Sequence, residues 1–107
     1  MAADRNNLPA GLLADVKLYL DITWTDDATD RKTSGIIASG MRYLDKKLGQ
    51  AADYTQDGDP RTLLFEYCRY MRDSALDVFE NNYQSQILAM QNDRAVKSYV
   101  EKTEQAE

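Results

Sequence analysis

The spacing of apolar residues predicts a short helix and then a long one in the first half of the chain. The short helix covers residues 9–20, and Pro9 suits its first turn. Its apolar stripe consists of Leu12, Leu13, Val16, Tyr19 and Leu20. The long helix covers residues 26–48. Thr25 is its expected N-cap, and Gly49 is its expected left-handed stop.

A third helix is predicted over residues 60–80, after a polar loop at residues 50–59. Pro60 suits the first position of this helix, with Asp59 before it as the N-cap. Its predicted apolar face consists of Leu64, Tyr67, Cys68, Met71, Ala75, Val78 and Phe79. The pair of asparagines at 81–82 is expected to end it.

The last quarter of the chain is harder to assign. Residues 83–90 follow neither the helical nor the strand period outright, whereas residues 93–101 favour a helix, with a short strand or an arm as the alternative. We predict a single all-α domain, residues 1–107. It is a small bundle of three to four helices with a core at about 9–92 and a C-terminal arm at about 93–107, whose polar end is expected to fray.

Composition narrows the classes of function. The 107 residues suffice for one domain, and hydrophobic and charged fractions of 43% and 29% are typical of globular proteins. A net charge of −5 disfavours tight binding to nucleic-acid phosphates. Arg69 and Arg72 form a local basic pair, but Glu66 and Asp73 flank them, which favours ion pairs on a helix face.

The sequence predicts a protein of the reducing cytoplasm with no membrane segment. No apolar run approaches the roughly 20 residues that a bilayer span requires. The N-terminus lacks the basic flank and apolar stretch of a secretion signal. A single cysteine excludes an intramolecular disulfide.

The chain contains no histidine, which is the usual proton-transfer group near neutral pH and the commonest metal ligand. Catalytic triads, HExxH zinc sites and Glu-x-x-His di-iron motifs are therefore excluded. Its five glycines form no phosphate-binding loop. We expect no catalytic residue, no metal ligand and no cofactor.

Two groups of acidic residues remain as candidates for chemistry. Asp73, Asp77 and Glu80 share a face of the third predicted helix, where a solvated acidic surface is the favoured interpretation, because nothing there separates their pKa values. Residues 53–59 place a glycine at the sixth position of an EF-hand-like loop. The twelfth position, however, is Leu64 and not glutamate, so an Asx turn is favoured over a calcium site.

Tyrosine and tryptophan indicate contacts with other proteins. Seven tyrosines and one tryptophan exceed what so small a core requires, and both types are enriched at protein interfaces, although half or more of them are expected to serve the core. Cys68, on the apolar face of the third predicted helix, is expected to be a buried, unreactive thiol. The predicted subunit-contact residues are Trp24, Tyr54, Tyr83, Ile87, Met90 and Tyr99.

Several segments resemble the small head–tail connector, or adaptor, proteins of tailed bacteriophages. Residues 13–22 have the form of a short VKxYLxI helix, residues 24–27 form an acidic helix start, and residues 43–49 end a long helix on glycine. Residues 59–79 resemble the third helix of such connectors from phages and prophages of Gram-positive hosts. The resemblance covers about residues 12–92 and includes no catalytic signature.

The resemblance implies a structural virion protein and not an enzyme. Connectors of this kind form a ring, usually dodecameric, below the portal protein, extend the DNA channel and carry a downstream adaptor or tail-completion protein. The expected location is the host cytoplasm during assembly and then the head–tail junction, where DNA passes without specific binding. Residues 83–90 are expected to supply one of the two faces of the ring contact, and Ile87→Asp to abolish the ring.

Two other classes of function stay open. One is a small cytoplasmic helical regulatory or protein-interaction module, although a helix-turn-helix within residues 26–80 lacks a basic recognition helix. The other is an enzyme whose cofactor the sequence does not reveal.

Overall fold

The computed structural model describes residues 4–105, except for the side chains of residue 98 and residues 100–105. Within this range the chain forms helices and no strand, which confirms the all-α prediction. The four helices are α1 (Leu12–Tyr19), α2 (Asp27–Leu48), α3 (Asp59–Arg72) and α4 (Leu76–Gln105).

The helices pack as a bundle around α3, which contacts the other three. α1 runs in the same direction as α3, and two contacts show this. Asp15, early in α1, pairs with Arg61, early in α3, at 2.8 Å, and the carbonyl of Leu20, after α1, accepts a hydrogen bond from Arg72, at the end of α3, at 2.8 Å. α4 runs in the same direction as α2, and the Gln91 side chain donates to the carbonyl of Lys47 near the end of α2. The molecule is elongated, 55 × 29 × 20 Å, because α4 is longer than its neighbours.

The core is built on Phe79, which is fully buried. The rings of four tyrosines lie around it with centroid distances between 5.1 and 6.2 Å: Tyr43, Tyr67, Tyr70 and Tyr83. Aliphatic side chains from α1, α2 and α3 fill the rest of the interior, among them Leu12, Val16, Ile37, Leu44, Leu63 and Leu64. Most of the tyrosines therefore serve the core.

The ends of α2 follow local chemistry. The N-cap is Asp26 and not Thr25, so the prediction was wrong by one residue. The Asp26 carboxylate accepts hydrogen bonds from the backbone amide of Thr29 at 3.0 Å and from the Thr29 hydroxyl at 2.8 Å. These hydrogen bonds lower the pKa of Asp26. At the other end Gly49 adopts a φ of 78°, which confirms the predicted left-handed stop.

The boundary between α3 and α4 differs from the prediction. α3 ends at Arg72, eight residues before the expected end, and Ser74 adopts a left-handed φ of 56°. The amide of Ala75 donates to the carbonyl of Tyr70 and that of Ser74 to Met71, the two hydrogen bonds of a Schellman motif. The sequence signal was missed because serine occupies the position that glycine usually takes.

α4 is one continuous helix, so the asparagines at 81–82 do not break it. Residues 83–90 and 93–101 are helical, and 102–105 continue the helix where fraying was expected. Residues 106–107, the rest of the predicted frayed end, lie outside the described residues. The acidic row is also corrected, since Asp73 lies in the connection whereas Asp77 and Glu80 belong to α4.

Close contact between α2 and α3 depends on Gly40. A Cβ atom at this position would lie 2.6 Å from Cδ1 of Tyr67 and 2.7 Å from Cδ1 of Leu64. The Tyr67 ring has little freedom to move, because it packs against Phe79 and its hydroxyl is hydrogen-bonded to Ser39 at 2.9 Å.

We therefore expect Gly40→Ala to destabilise the chain. The steric cost of about 1–3 kcal/mol should exceed the gain of about 1 kcal/mol from the better helix propensity of alanine. Urea denaturation measures the difference. Gly35→Ala in the same helix is the matched control, because its nearest neighbour is the flexible end of Arg5. Equal stability of the two variants would contradict the prediction.

Candidate interaction surface

Large apolar side chains are exposed at two separate places on the molecule. One group lies on α1 and the segment before α2, where Leu18 is 77% exposed and Trp24 is 48% exposed. The other lies along α4 and includes Leu88, Val96 and Tyr99, of which Tyr99 is 72% exposed. Single exposed apolar residues are common, but several along one helix, as on α4, are typical of contact surfaces.

The first group is held in place by the ends of two helices. α1 ends in a Schellman motif, with Asp21 in the left-handed region at a φ of 60° and the amide of Ile22 bonded to the carbonyl of Lys17. The following Trp24 donates its indole N–H to the hydroxyl of Thr29 at 3.2 Å. The indole ring therefore lies against the start of α2 with half its surface in solvent. Leu18 lies on the outer side of α1.

The second group lies on a helix that extends past the bundle. Arg94 is the last partly buried side chain described on α4; Ala95, Val96, Lys97 and Tyr99 are exposed. The 11 residues from 95 to 105 correspond to roughly 16 Å of helix at 1.5 Å per residue. A helix of this length is marginal in water without a packing partner. This overhang is where the predicted C-terminal arm lies.

The outer side of α4 carries a row of uncharged residues. We call it the outer stripe, and it consists of Asn81, Ser85, Leu88, Asn92, Ala95 and Tyr99, all exposed. The spacing alternates between four and three residues, so the stripe follows one face of the helix. It lies opposite the buried side of α4, which presents Phe79, Ile87 and Met90 to the core.

Glu66 joins three helices through hydrogen bonds. Its carboxylate accepts from the hydroxyl of Tyr19 at 2.7 Å, from the hydroxyl of Tyr83 at 2.7 Å and from Nε of Arg69 at 2.8 Å. The Arg69 pair confirms one of the predicted ion pairs, whereas Arg72 instead bonds to the carbonyl of Leu20. The donors lower the pKa of Glu66 to about 2, Arg69 contributing most.

The hydroxyl groups of Tyr19 and Tyr83 are both used in hydrogen bonds to Glu66. The hydrogen bond to Glu66 raises the pKa of Tyr83 to about 12, with desolvation adding to the effect. The pKa of Tyr19 is raised mainly by desolvation. Tyr83, a predicted contact residue, is therefore half-buried with its hydroxyl bonded inside the subunit.

Three of the predicted contact residues are core residues, which corrects the prediction. Tyr54 is 1% exposed, and its hydroxyl donates to Asp45 at 2.7 Å; burial and this bond raise its pKa. Ile87 and Met90 point from α4 into the bundle and are 6% and 5% exposed. Their side chains are covered within the subunit, so they do not form a contact surface.

Trp24 and Tyr99 are the predicted contact residues that the structure leaves exposed. Three other large apolar residues are also exposed although the sequence pattern did not predict them as contact residues: Leu18, Leu88 and Val96. For Leu18 a signal existed, because Leu12, Val16 and Leu20 define the buried side of α1 and place Leu18 on the other side.

The described side chains include few candidates for metal binding or for a reactive thiol. No group of three or more Cys, Asp or Glu side chains among them is close enough to bind a metal ion. Asp53 accepts a hydrogen bond from the amide of Thr55 at 2.9 Å, which confirms the Asx turn in the loop considered for calcium. Cys68 is fully buried, as predicted, and burial raises the pKa of its thiol to about 12.

A shallow groove between α2 and α4 is mostly polar. Its lining includes Tyr43, Glu80, Gln84 and Gln91. Desolvation, with Glu80 nearby, raises the pKa of Tyr43 to about 12. This shift disfavours the deprotonated tyrosinate.

Comparison with known proteins does not identify a family. The sequence matches no family model, and neither a curated protein nor a solved structure is significantly similar to it. The resemblance to head–tail connectors therefore stays a prediction from sequence patterns. None of the described helices is long and apolar enough to cross a membrane.

Proposed function

We propose that this chain is a structural subunit of a ring at the head–tail junction of a tailed bacteriophage. In this role it binds the portal protein on one side and an adaptor or tail-completion protein on the other. It catalyses no reaction and requires no cofactor. The sequence patterns shared with connectors in α1, α2 and α3 support the assignment, and so does the exposed apolar surface.

The observation that carries the proposal is the separation of the two exposed apolar groups. A ring contact is heterologous, so each subunit must present two different faces that meet on successive neighbours. Leu18 and Trp24 lie on α1 and the entry to α2, whereas Leu88, Val96 and Tyr99 lie on α4. One subunit thus exposes apolar side chains at two separate places, and a heterologous contact needs two different faces.

The charge of the chain suits a DNA channel. Its net charge is −5, with 18 acidic and 13 basic residues. A net negative charge disfavours binding to the phosphate backbone, so DNA can pass without being retained.

Purified phage particles provide the direct test. If the proposal is right, quantitative mass spectrometry of particles from the source host finds this chain in an amount comparable with the portal protein. Absence of the chain from filled, tailed particles would contradict the proposal. A stable monomer that binds duplex DNA at physiological salt would support the regulatory module instead.

A surface variant tests the contact without disturbing the fold. We expect Leu18→Glu to give DNA-filled heads without attached tails in electron micrographs, because a charge at the ring contact disfavours burial of that surface. Gln56→Glu, which adds the same charge at an exposed position of the loop before α3, is the control and should give normal particles. Normal tail attachment in Leu18→Glu particles would exclude Leu18 from the contact.

The variant Ile87→Asp is no longer a suitable test. Ile87 is buried in the core, so a carboxylate there should unfold the bundle whether or not a ring forms.

A further inference from the structure

The exposed charges along α2 are of one sign. Between residues 28 and 48 every exposed charged side chain is basic. The two acidic residues of this stretch are half-buried and bonded inside the subunit: Asp30 pairs with Lys17 at 2.7 Å, and Asp45 accepts from the Tyr54 hydroxyl at 2.7 Å. The net charge of −5 therefore conceals a separation of charge.

Most of these basic residues lie on one side of the helix. We call this side, with a residue of the N-terminal segment that lies on it, the basic face; it consists of Arg5, Arg31, Lys32, Arg42 and Lys46. At 3.6 residues per turn, its four α2 members fall within an arc of about 100° that contains no acidic residue of α2.

The N-terminal segment adds a cation to a surface that is already basic. The Arg5 guanidinium lies over Gly35, where a Cβ atom would be only 3.0 Å from Nη2. Arg5, Arg31 and Lys32 line one shallow depression. Asp27 pairs with Arg31 at 3.5 Å on the exposed surface, but neither Arg5 nor Lys32 forms an ion pair with a described carboxylate. Like charges held together cost free energy, and a bound anion offsets that cost.

We propose that the basic face binds the phosphate backbone of double-stranded DNA without reading its sequence. Arg31 and Lys46 lie roughly 22 Å apart along α2, a length over which one DNA strand presents about six phosphates. The inference rests on the proposed function for the source of the DNA, and it assigns the α2 side of each subunit to the channel wall.

The composition of the basic face favours DNA over an acidic protein. Protein interfaces are centred on aromatic and apolar side chains and contain few lysines, whereas DNA interfaces are polar and strongly positive. No large apolar side chain is exposed on α2, whose residues are all described. The positions between the cations are small: Ala28, Gly35 and Ser39.

One subunit binds DNA weakly, because the rest of the molecule is acidic. Outside the basic face, eight basic residues stand against all 18 acidic ones. Each subunit then contributes a weak contact that salt screens, and several subunits of a ring contact the same duplex at once. DNA is guided along the channel and is not retained by any single contact.

Fluorescence anisotropy of the free, full-length chain with a labelled DNA duplex tests the binding. The expected result is binding at about 50 mM salt that weakens about a hundredfold or more at about 200 mM, as four to five phosphate contacts require. A duplex of unrelated sequence should bind equally well.

Single substitutions test the location of the contact. Lys32→Gln and Lys46→Gln, one from each end of the basic face, should each lower the affinity about fivefold and reduce the salt slope by about one. Gln56→Glu makes the same change in net charge on the exposed loop before α3, so it is the matched control and should change the affinity less than about twofold. Circular dichroism checks that the variants are folded.

Three results would overturn the inference: no duplex binding at low salt, binding that salt does not weaken, or lysine variants that behave like Gln56→Glu. Binding of poly-glutamate without binding of the duplex would indicate an acidic protein partner and overturn it as well. These measurements use the free chain, so a failure here removes the basic face and leaves the ring, whose presence in phage particles is measured separately.

Discussion

Replacing Phe79 with alanine is expected to destabilise the chain by about 3–5 kcal/mol, which is much of the stability of a domain this size. Phe79 is fully buried and packs against four tyrosine rings from α2, α3 and α4. Its removal would leave a cavity that these rigid rings cannot fill by small movements. Urea denaturation monitored by circular dichroism measures the loss.

Val78→Ala is the matched control for this prediction. Val78 precedes Phe79 on the same helix but is 42% exposed, so its truncation should cost well under 1 kcal/mol. A Phe79→Ala chain as stable as the Val78→Ala chain would show that the aromatic cluster is not the centre of the core.

Glu66 is expected to make the fold sensitive to acid. Its pKa is about 2 in the folded chain against an ordinary value of 4.5, because Arg69, Tyr83 and Tyr19 donate to the ionised carboxylate. A lowered folded pKa means that the stabilisation is fully present above pH 4.5 and is lost as the pH falls from 4.5 through about 2. The difference corresponds to no more than about 3 kcal/mol, and solvent screening reduces it to about 2.

Unfolding free energies of the wild type and Glu66→Gln between pH 7 and pH 2 test this effect. The variant should be less stable at pH 7 by about 2 kcal/mol, and the two stability curves should converge in acid as Glu66 becomes protonated. Asp73→Asn, a change of the same kind at the exposed end of α3, should keep the acid sensitivity of the wild type. A constant gap between wild type and Glu66→Gln at every pH would contradict the assignment.

The first half of the fold could be predicted because its boundaries have strong local causes. Gly49 ends α2 in the left-handed conformation that glycine adopts at least cost, and carboxylates mark the helix start. The one-residue error at the N-cap reflects two adjacent residues, Thr25 and Asp26, that are both good caps. The carboxylate of Asp26 makes the contacts to Thr29.

The break between α3 and α4 could not be predicted from spacing. Apolar residues continue at helical intervals across it, from Tyr67 and Met71 to Ala75 and Phe79. The reversal depends on Ser74 in a left-handed conformation, which carries no glycine signal. Leu63 and Phe65 were also missed, since α3 is covered by three helices and buries more than one face.

The candidate surface was only partly predictable for a related reason. α4 carries apolar residues on its buried side, such as Ile87, and also on its outer stripe, such as Leu88, so no single period dominates residues 83–101. The burial of Tyr54 depends on Asp45, a partner nine residues away that fixes its hydroxyl. Aromatic content alone could not separate core tyrosines from Tyr99 at the surface.

Because Cys68 is buried, the rate at which its thiol is chemically modified measures how often the chain unfolds. The thiol is fully covered, and its pKa of about 12 leaves almost no thiolate at neutral pH, so a thiol reagent can modify it only after the bundle opens. Because the chain has no other cysteine, each modified molecule records one such opening. The rate of labelling in native buffer would then report how often the whole core is exposed, without any denaturant.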